Sequence, residues 1–156
     1  MKLHYVVPDD NFTRAGEASG AVKAKLKQLG FPSDIIRRVA IAMYEGEINM
    51  VIHANGGEAT VEIEPEKIYI ELSDNGPGIP DIEKAMTEGF SIAPETVRNL
   101  GFGAGMGLPN IKKYTDSLDI ATELGKGTTI TMTVRVSLWD SGFVLCVLLF
   151  FENGRH

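Results

Sequence analysis

The sequence predicts an α+β fold, a two-layer sandwich in which helices pack on one face of a mixed β-sheet. The first observation is length, because 156 residues are enough for one domain with a substantial buried core. The second is the predicted order β-α-α-β-β-α-β-β, in which the helices are grouped. The third is that no internal repeat or low-complexity linker divides the chain. Residues 1–136 are therefore expected to form the domain.

The first half of the chain begins with a strand and continues with two helices. Residues 3–7 are rich in β-forming side chains and predict the strand. A helical pattern covers residues 12–29, and Gly30 is expected to end it. Three candidate N-caps precede this helix: Asp9, Asp10 and Asn11. A second helix is predicted over residues 34–54, with apolar residues at helical spacing: Ile35, Val39, Ala42, Met43 and Ile48.

The second half contains two pairs of alternating strands separated by a loop-rich stretch. The four predicted strands cover residues 59–63, 68–72, 118–122 and 128–136. Between the pairs, residues 74–107 are expected to be mostly loop, with one short helix near residues 81–86. A further helix is predicted from residue 106 to about residue 115.

Charge and cysteine content restrict the partners and the compartment. A net charge of −6 leaves no broad basic surface for nonspecific nucleic-acid binding, so DNA and RNA are not expected as partners. The single cysteine, Cys146, cannot form an internal disulfide, and this fits the reducing cytoplasm. The N-terminal residues become acidic before any long apolar stretch, so no signal peptide is predicted.

The second predicted helix places three polar residues on one face. Glu45, Asn49 and His53 are spaced four residues apart, which brings them onto one side of the helix. A carboxamide oxygen can ligate Mg²⁺, and a carboxylate can accept a proton from a hydroxyl or water. Glu47 falls on a different face and is not expected at such a site. The same spacing is also typical of the solvated face of an amphipathic helix, so both interpretations stay open.

A candidate ligand turn follows directly after a predicted strand, at residues 74–78 (Asp-Asn-Gly-Pro-Gly). Its two glycines permit a tight turn and close approach of a ligand. Asp74 is then placed to accept a hydrogen bond from an exocyclic amine such as that of adenine. An Asp followed by spaced glycines is also a common turn without any ligand.

Two further glycine-containing segments lie downstream. Residues 101–107 alternate glycine with other residues and lead into a helix, where outward-facing N–H groups form an anion site. Neither the Rossmann fingerprint nor the Walker pattern fits this segment, and a flexible hinge is the alternative. Residues 125–129 (Gly-Lys-Gly-Thr-Thr) predict a turn between strands, either an ordinary hairpin or one whose hydroxyls face a base.

The order and spacing of these four segments carry a family resemblance. E-x-x-x-N, D-x-G-x-G, G-x-G-x-G-x-G and G-x-G-T-T resemble the N, G1, G2 and G3 boxes of one ATPase superfamily. That superfamily includes gyrase, the Hsp90 chaperone, histidine kinases and the mismatch-repair protein MutL. The resemblance covers about residues 1–136. It implies a Bergerat fold, with ATP and Mg²⁺ bound between the helical layer and a glycine-rich lid.

Within that superfamily the chain resembles the small bacterial anti-sigma-factor kinases and the stressosome switch kinases. The similarity rests on residues 74–82, 88–91 and 105–116. Those kinases phosphorylate a serine or threonine on a small STAS-domain antagonist and regulate transcription by switching protein partners. The resemblance implies a STAS-domain partner, with a sigma factor, a phosphatase or a second copy of the chain as further candidates.

The resemblance also implies roles for individual residues. Glu45 would be the catalytic base, Asn49 the Mg²⁺ ligand and Asp74 the residue that holds adenine. The remaining residues implied for the nucleotide site surround these three: Gly76, Gly78, Ile79, Gly103, Gly105, Met106, Gly107, Leu108, Thr128 and Thr129.

The basic phosphate contact is the one part of the family pattern that this chain does not match directly. The anti-sigma branch has an arginine immediately before its G-x-G-L segment, and here residues 99–102 intervene. Arg98 and Lys112 are both candidates by charge and position. His53 is expected to be a structural residue, because it lies inside the nucleotide helix.

Three functions are compatible with the resemblance. The first is a protein serine/threonine kinase acting on a STAS-domain partner. The second is a module whose ATP state gates capture of a sigma factor or phosphatase without any transfer. The third is the catalytic fragment of a histidine kinase, and it is the weakest because no paired-helix segment with its own histidine precedes the domain.

Residues 137–156 match nothing in the resemblance. They include the apolar run 143–151 (FVLCVLLFF), which is far shorter than the about 20 residues that a membrane-spanning helix needs. Left exposed, this run would favour aggregation, so burial in the protomer or in a dimer contact is predicted. A sequence altered at its end, for example by a frameshift, is the alternative.

Overall fold

The computed structural model describes residues 1–9, 12–99 and 101–137, which form one five-stranded sheet and five helices. The elements follow in this order: β1 (Lys2–Val7), α1 (Glu17–Gln28), α2 (Ser33–His53), β2 (Gly57–Ile63), β3 (Lys67–Asp74), α3 (Ile82–Ala85), α4 (Glu95–Asn99), α5 (Gly107–Tyr114), β4 (Ser117–Glu123) and β5 (Gly127–Arg135). This confirms the predicted α+β class, with α4 as the one element that no sequence pattern predicted.

The sheet is antiparallel throughout, where a mixed sheet was predicted. Its strand order is β1-β2-β3-β5-β4, and all four neighbouring pairs are antiparallel. β3 and β4 do run in the same direction, but β5 lies between them and pairs with both. The long connection after β3 therefore leads to β4 at the far edge of the sheet. The chain then turns back, and β5 fills the place between β4 and β3.

The core lies between one face of this sheet and the two long helices. Alternating residues of β2, β3 and β5 point toward the helices and are buried, as in Val61, Ile70 and Met132. From α2 come the five apolar residues of the predicted stripe, each at most 7% exposed. Each valine, isoleucine or methionine among them contributes roughly 1.5–3 kcal/mol when removed from water. The opposite face of the central strands carries polar residues, so the helices cover one side only.

α1 begins at Glu17, five residues later than the sequence pattern predicted. Gly16 precedes it with a left-handed φ of 96° and provides no side-chain cap. The cap comes from α2, because the buried carboxylate of Glu47 accepts hydrogen bonds from the N–H groups of Gly16, Ala18 and Ser19 at 3.2, 3.0 and 2.8 Å. Of the predicted local caps, Asp10 and Asn11 lie outside the described residues.

The loop-rich stretch between β3 and α5 holds two short helices. Asp81 caps α3, since its Oδ1 accepts a hydrogen bond from the Lys84 N–H at 3.0 Å. α4 was not predicted because five residues are too few to show a helical period. Both helices lack buried residues, so they serve as surface supports for the loops between them.

The predicted burial concerns the tail 137–156, of which residues 138–156, including the whole apolar run, lie outside the described residues. In the part that is described, the chain leaves β5 at Val136, which is buried and donates its N–H to the Glu66 carbonyl at 2.8 Å. None of the helices within residues 1–9, 12–99 and 101–137 has the length and apolar character that a membrane crossing requires.

Candidate functional site

A cavity of about 610 Å³ lies between α2, the turn after β3 and the glycine-rich loop before α5. This volume falls within the range of about 300–1,000 Å³ that is usual for small-molecule sites. Leu72 and Ile130 contribute apolar surface from the sheet. The polar side chains of the lining are few: Tyr44, Glu45, Asn49, His53, Asp74, Asp81, Lys84, Ser91 and Thr128.

The polar stripe on α2 faces this cavity. Glu45, Asn49 and His53 all line it, so the helical spacing places them together as the pattern indicated. Glu45 Oε1 accepts a hydrogen bond of 2.7 Å from the side-chain amide of Asn110 on α5. The Asn49 carboxamide lies against Gly107, where an added Cβ would sit 3.0 Å from its nitrogen and oxygen.

Asp74 is held at the end of β3 by two backbone hydrogen bonds. Its Oδ1 accepts from the Gly76 N–H at 2.8 Å and from the Thr128 N–H at 3.2 Å. These bonds fix the carboxylate at the cavity wall. Gly76 itself does not line the cavity; a Cβ there would meet Ala54 Cβ at 2.6 Å, so this glycine lets the turn pack on the end of α2.

The second glycine of that turn brings the chain against the β4–β5 hairpin. Gly78 has a φ of 78°, and a Cβ on it would lie 2.6 Å from the Glu123 carbonyl oxygen. The next residue, Ile79, donates its N–H to Thr122 Oγ1 at 2.9 Å. Thr122 Oγ1 in turn lies 2.9 Å from Thr128 Oγ1. Two threonines therefore tie the turn to β5 at the cavity.

The glycine-rich loop approaches its neighbours too closely for side chains. Gly103 and Gly105 have left-handed φ values of 72° and 75°. A Cβ on Gly103 would lie 2.4 Å from Ala93 Cβ, and one on Gly105 would lie 2.5 Å from the Phe90 carbonyl oxygen. The Gly105 carbonyl also accepts the Gly89 N–H at 3.0 Å. The loop is thus packed tightly against residues 89–93 where it borders the cavity.

The cavity brings together most of the residues proposed from the sequence. Those that line it are Glu45, Asn49, Asp74, Gly78, Ile79, Gly103, Gly105, Met106, Gly107, Leu108 and Thr128. Four others do not line it: Gly76, Thr129, Arg98 and Lys112. Thr129 is on the other face of β5, where its Oγ1 lies 3.1 Å from Ser73 Oγ. Lys112 borders a separate groove beside β4.

Among the residues at or beside the cavity that had no sequence prediction, four make specific contacts. Lys84 is the one lysine or arginine among the described lining residues, and it pairs with Asp81 at 3.6 Å. Asn110 and Thr122 act through hydrogen bonds to residues far away in sequence, and no local pattern signals such pairs. Phe12 stacks on Phe102 of the glycine-rich loop, with ring centroids 5.4 Å apart.

The sequence matches, over residues 34–138, the family described as histidine kinase-, DNA gyrase B- and HSP90-like ATPase. That match covers more than half of the chain. The chain belongs to this ATPase family. Members of this family are ATPases, so ATP is the ligand that the cavity has to accommodate.

Curated relatives place the chain in one part of the ATPase family. It is 33% identical over 108 residues to the serine/threonine-protein kinase RsbT of Bacillus subtilis, a match covering 67% of this chain and 75% of RsbT. It is 32% identical over 145 residues to the anti-sigma F factor of Clostridium acetobutylicum, covering 88% and 94%. The anti-sigma F factor of Caldanaerobacter subterraneus is 36% identical over 138 residues, covering 85% and 91%. The resemblance to the anti-sigma-factor kinases is confirmed.

Solved structures with the same fold support the assignment at the level of architecture. The RsbU and RsbW domains of a Mycobacterium tuberculosis protein match with a TM-score of 0.60 at 17% identity, covering 87% of this chain and 32% of that one. The mycobacterial sensor histidine kinase MprB matches with a TM-score of 0.51 at 18% identity, covering 87% and 98%. At such identities the likeness concerns the fold alone.

The residues of the cavity fit the nucleotide that the ATPase family binds. The glycine-rich loop lines the cavity with Gly103, Gly105 and Gly107, and residues without side chains leave room for the close backbone approach that phosphate binding requires. Asn49 and Glu45 provide hard oxygen atoms on the facing helix. Within the described ranges, no three His, Cys, Asp or Glu side chains come together as a metal cage. A Mg²⁺ ion held partly by phosphate oxygens is compatible with that arrangement.

His53 gives the ATPase domain a pH dependence that can be measured. Burial lowers the pKa of His53 below its ordinary value of 6.5. The unfolded chain therefore takes up this proton more readily than the folded one, so stability is fully present above pH 6.5 and falls as the pH drops below it. We expect thermal melts to show a falling Tm from pH 7 to pH 5.5, and His53→Gln to reduce that fall.

The matched control is His4→Gln, because His4 is an exposed histidine on β1. Only a reduction of the slope larger than the one seen in His4→Gln is assigned to the burial of His53. A slope that His53→Gln leaves unchanged would show that another group is responsible.

Proposed function

We propose that the chain is an ATP- and Mg²⁺-dependent protein serine/threonine kinase that phosphorylates a STAS-domain antagonist and so regulates transcription by partner switching. The observation that carries this proposal is the placement of Glu45 and Asn49 on one face of α2, at the cavity and opposite the glycine-rich loop. A base that orients the hydroxyl and a ligand for Mg²⁺ are two of the groups that phosphoryl transfer uses. Relatives named as a serine/threonine kinase and as anti-sigma factors support the same activity.

The adenine end of the proposed site is Asp74 with its surrounding turn. Two backbone N–H groups already occupy Asp74 Oδ1, so the carboxylate is oriented before any ligand arrives. Its remaining acceptor capacity suits the exocyclic amine of adenine. Ile79 and Thr128 complete this end of the cavity, and the Thr122 hydrogen bonds keep the two together.

The phosphate end is the glycine-rich loop with Met106, Gly107 and Leu108 at the start of α5. Backbone N–H groups at a helix N-terminus favour an anion, and the glycines allow it to come close. Asn49 is the proposed Mg²⁺ ligand, since its carboxamide lies against Gly107 at this end. Lys84 replaces Arg98 and Lys112 as the proposed basic contact, because it lines the cavity and they do not.

The proposed reaction uses the protein for positioning and for one proton transfer. ATP supplies the γ-phosphoryl group, and ADP is the leaving group, which carries the negative charge of the broken bond. Glu45 accepts the proton of the attacking serine or threonine hydroxyl through the carboxylate oxygen that Asn110 does not occupy. The new bond joins the hydroxyl oxygen to the γ-phosphorus as the bond to the β-phosphate oxygen breaks. Such positioning and charge neutralisation account for most of the catalysis in phosphoryl transfer.

The proposed partners follow from the same relatives. A STAS-domain protein is the substrate, and a sigma factor or phosphatase is the protein that the switch captures or releases. The acidic net charge of −6 is unsuited to nucleic acid, and the cytoplasm is the compartment that holds ATP and sigma factors. A homodimer is the proposed assembly.

Phosphate transfer to a protein tests the proposed function directly. The purified chain, mixed with γ-labelled ATP, Mg²⁺ and the STAS-domain protein encoded beside it, should label that protein on one serine or threonine. Mass spectrometry identifies the residue. A chain that binds ATP and captures a protein without labelling it is instead an ATP-gated binding module. Label on a histidine would support the histidine-kinase alternative.

A further inference from the structure

We infer that Asn110 is a positioning residue that orients the Glu45 carboxylate and makes this orientation depend on the glycine-rich loop. The inference rests on the proposed function, since it concerns the base of that reaction. It starts from one contact, in which the Asn110 side-chain amide donates to Glu45 Oε1 at 2.7 Å. A carboxylate can only accept, so the amide nitrogen is the atom that faces it.

The contact engages only one of the two carboxylate oxygens of Glu45. Oε1 is engaged by Asn110, and Glu45 makes no second side-chain hydrogen bond to another described residue. A glutamate on a helix can rotate about three side-chain bonds, and the last rotation is loosely restrained. A short hydrogen bond to a charged acceptor removes that freedom. Oε2 is then the oxygen presented for proton transfer.

Asn110 reaches Glu45 from outside the cavity. Glu45 lines the cavity and Asn110 does not, so the amide contacts the base without contacting the nucleotide space. This placement distinguishes a positioning residue from a catalytic one. It also means that replacing Asn110 leaves the cavity wall unchanged.

The contact is not needed to hold α5 on α2. Leu108 and Ile111 of α5 are already buried, at 7% and 0% exposed. At the far end of α5, Arg38 of α2 donates to the Tyr114 carbonyl at 3.1 Å and to Asp116 Oδ2 at 2.8 Å. Two other sets of contacts therefore secure the helix pair. The Asn110 hydrogen bond therefore orients the Glu45 carboxylate, and the docking of α5 on α2 does not depend on it.

The same turn of α5 carries the glycine-rich loop. Asn110 donates its backbone N–H to the Met106 carbonyl at 2.9 Å, and Gly107 packs on the Asn49 carboxamide. α5 therefore contacts α2 at two levels, Gly107 at Asn49 and Asn110 at Glu45. A shift of the loop that moves α5 changes the metal ligand and the base together.

Steady-state hydrolysis of Mg-ATP tests the inference, with water as the acceptor so that no partner is required. We expect Asn110→Ala to lower kcat by about 10- to 100-fold, part of the 10²–10⁴ that a general base contributes. The KM and the Kd for ATP should stay within about twofold, because the cavity wall is unchanged. Asn110→Asp should lower kcat further, since it places a second carboxylate against Glu45. Asn110→Gln keeps a donor on a longer arm and should recover part of the activity.

The matched control is Arg38→Ala, which removes the other polar tie between α2 and α5 without touching Glu45. Both Arg38→Ala and Asn110→Ala should lower the Tm, but only the latter should lower kcat. Equal kcat in Asn110→Ala and the unsubstituted chain, or an equal loss in the control, overturns the inference.

Transfer to the STAS-domain protein separates this inference from the proposed function. A chain that hydrolyses ATP with the expected Asn110 effect but labels no protein refutes the kinase and keeps the positioning role. A chain that labels the protein equally well with and without Asn110 keeps the kinase and refutes the role. A chain that binds ATP but neither hydrolyses nor transfers it refutes both.

Discussion

Replacing Glu45 with glutamine is expected to lower phosphoryl transfer by about 10²–10⁴-fold while leaving ATP affinity nearly unchanged. Glutamine has the size of glutamate but cannot take a proton from the attacking hydroxyl. Its amide oxygen still accepts the Asn110 hydrogen bond, so the contact between α2 and α5 survives. The transfer rate is measured with labelled ATP, and the ATP Kd is measured separately by calorimetric titration.

Glu58→Gln is the control for Glu45, because it makes the same chemical change at an exposed position on β2, away from the cavity. It should transfer phosphate at the rate of the unsubstituted chain. Undiminished transfer by Glu45→Gln would show that the base has been assigned to the wrong residue.

Replacing Gly105 with alanine is expected to weaken ATP binding by about 10- to 100-fold, or about 1.4–2.7 kcal/mol, because the added Cβ collides with backbone and displaces the wall of the cavity. The residue has a φ of 75°, which an L side chain rarely adopts. The added Cβ would also lie 2.5 Å from both the Phe90 carbonyl oxygen and the Gly89 carbonyl carbon. Backbone atoms cannot move aside by changing rotamer, so the loop itself must shift. Titration with a fluorescent ATP analogue measures the loss.

Gly101→Ala is the matched variant in the same loop. Gly101 has a similar left-handed φ of 88°, but no described atom lies within 4 Å of an added Cβ. It carries the conformational strain without the collision, so its affinity loss should be less than about fivefold. Equal losses in the two variants would mean that close packing of the loop does not matter for the nucleotide.

The sequence predicted those parts of the fold that have a local period. α2 and the four strands after it were predicted to within two residues at each end, because buried side chains repeat every 3.6 or two positions. The α1 start was predicted wrongly because its cap is Glu47, which is 28 residues or more further along the chain. The antiparallel pairing also depends on β5 entering between β3 and β4, and no local pattern contains that information.

The same distinction between local sequence pattern and long-range packing applies to the candidate site. Glu45 and Asn49 were found because a helix fixes their relation, and the glycine turns were found because glycine marks close approach. Asn110 and Lys84 were missed because their place at the site depends on how separate elements pack. For the same reason charge and position alone favoured Arg98 and Lys112, which packing leaves outside the cavity.

The Glu47 cap has a consequence for the order in which the molecule folds. An isolated helix of 12 residues is marginal in water, and α1 contains Gly20 and has no cap of its own. Its first turn gains its hydrogen-bond acceptor only when α2 has formed and presents the Glu47 carboxylate. α1 should therefore become stable together with the docking of α2 and not before it. The N-terminal part of the domain, though synthesised first, would remain unstructured on the ribosome until residues well beyond it have emerged.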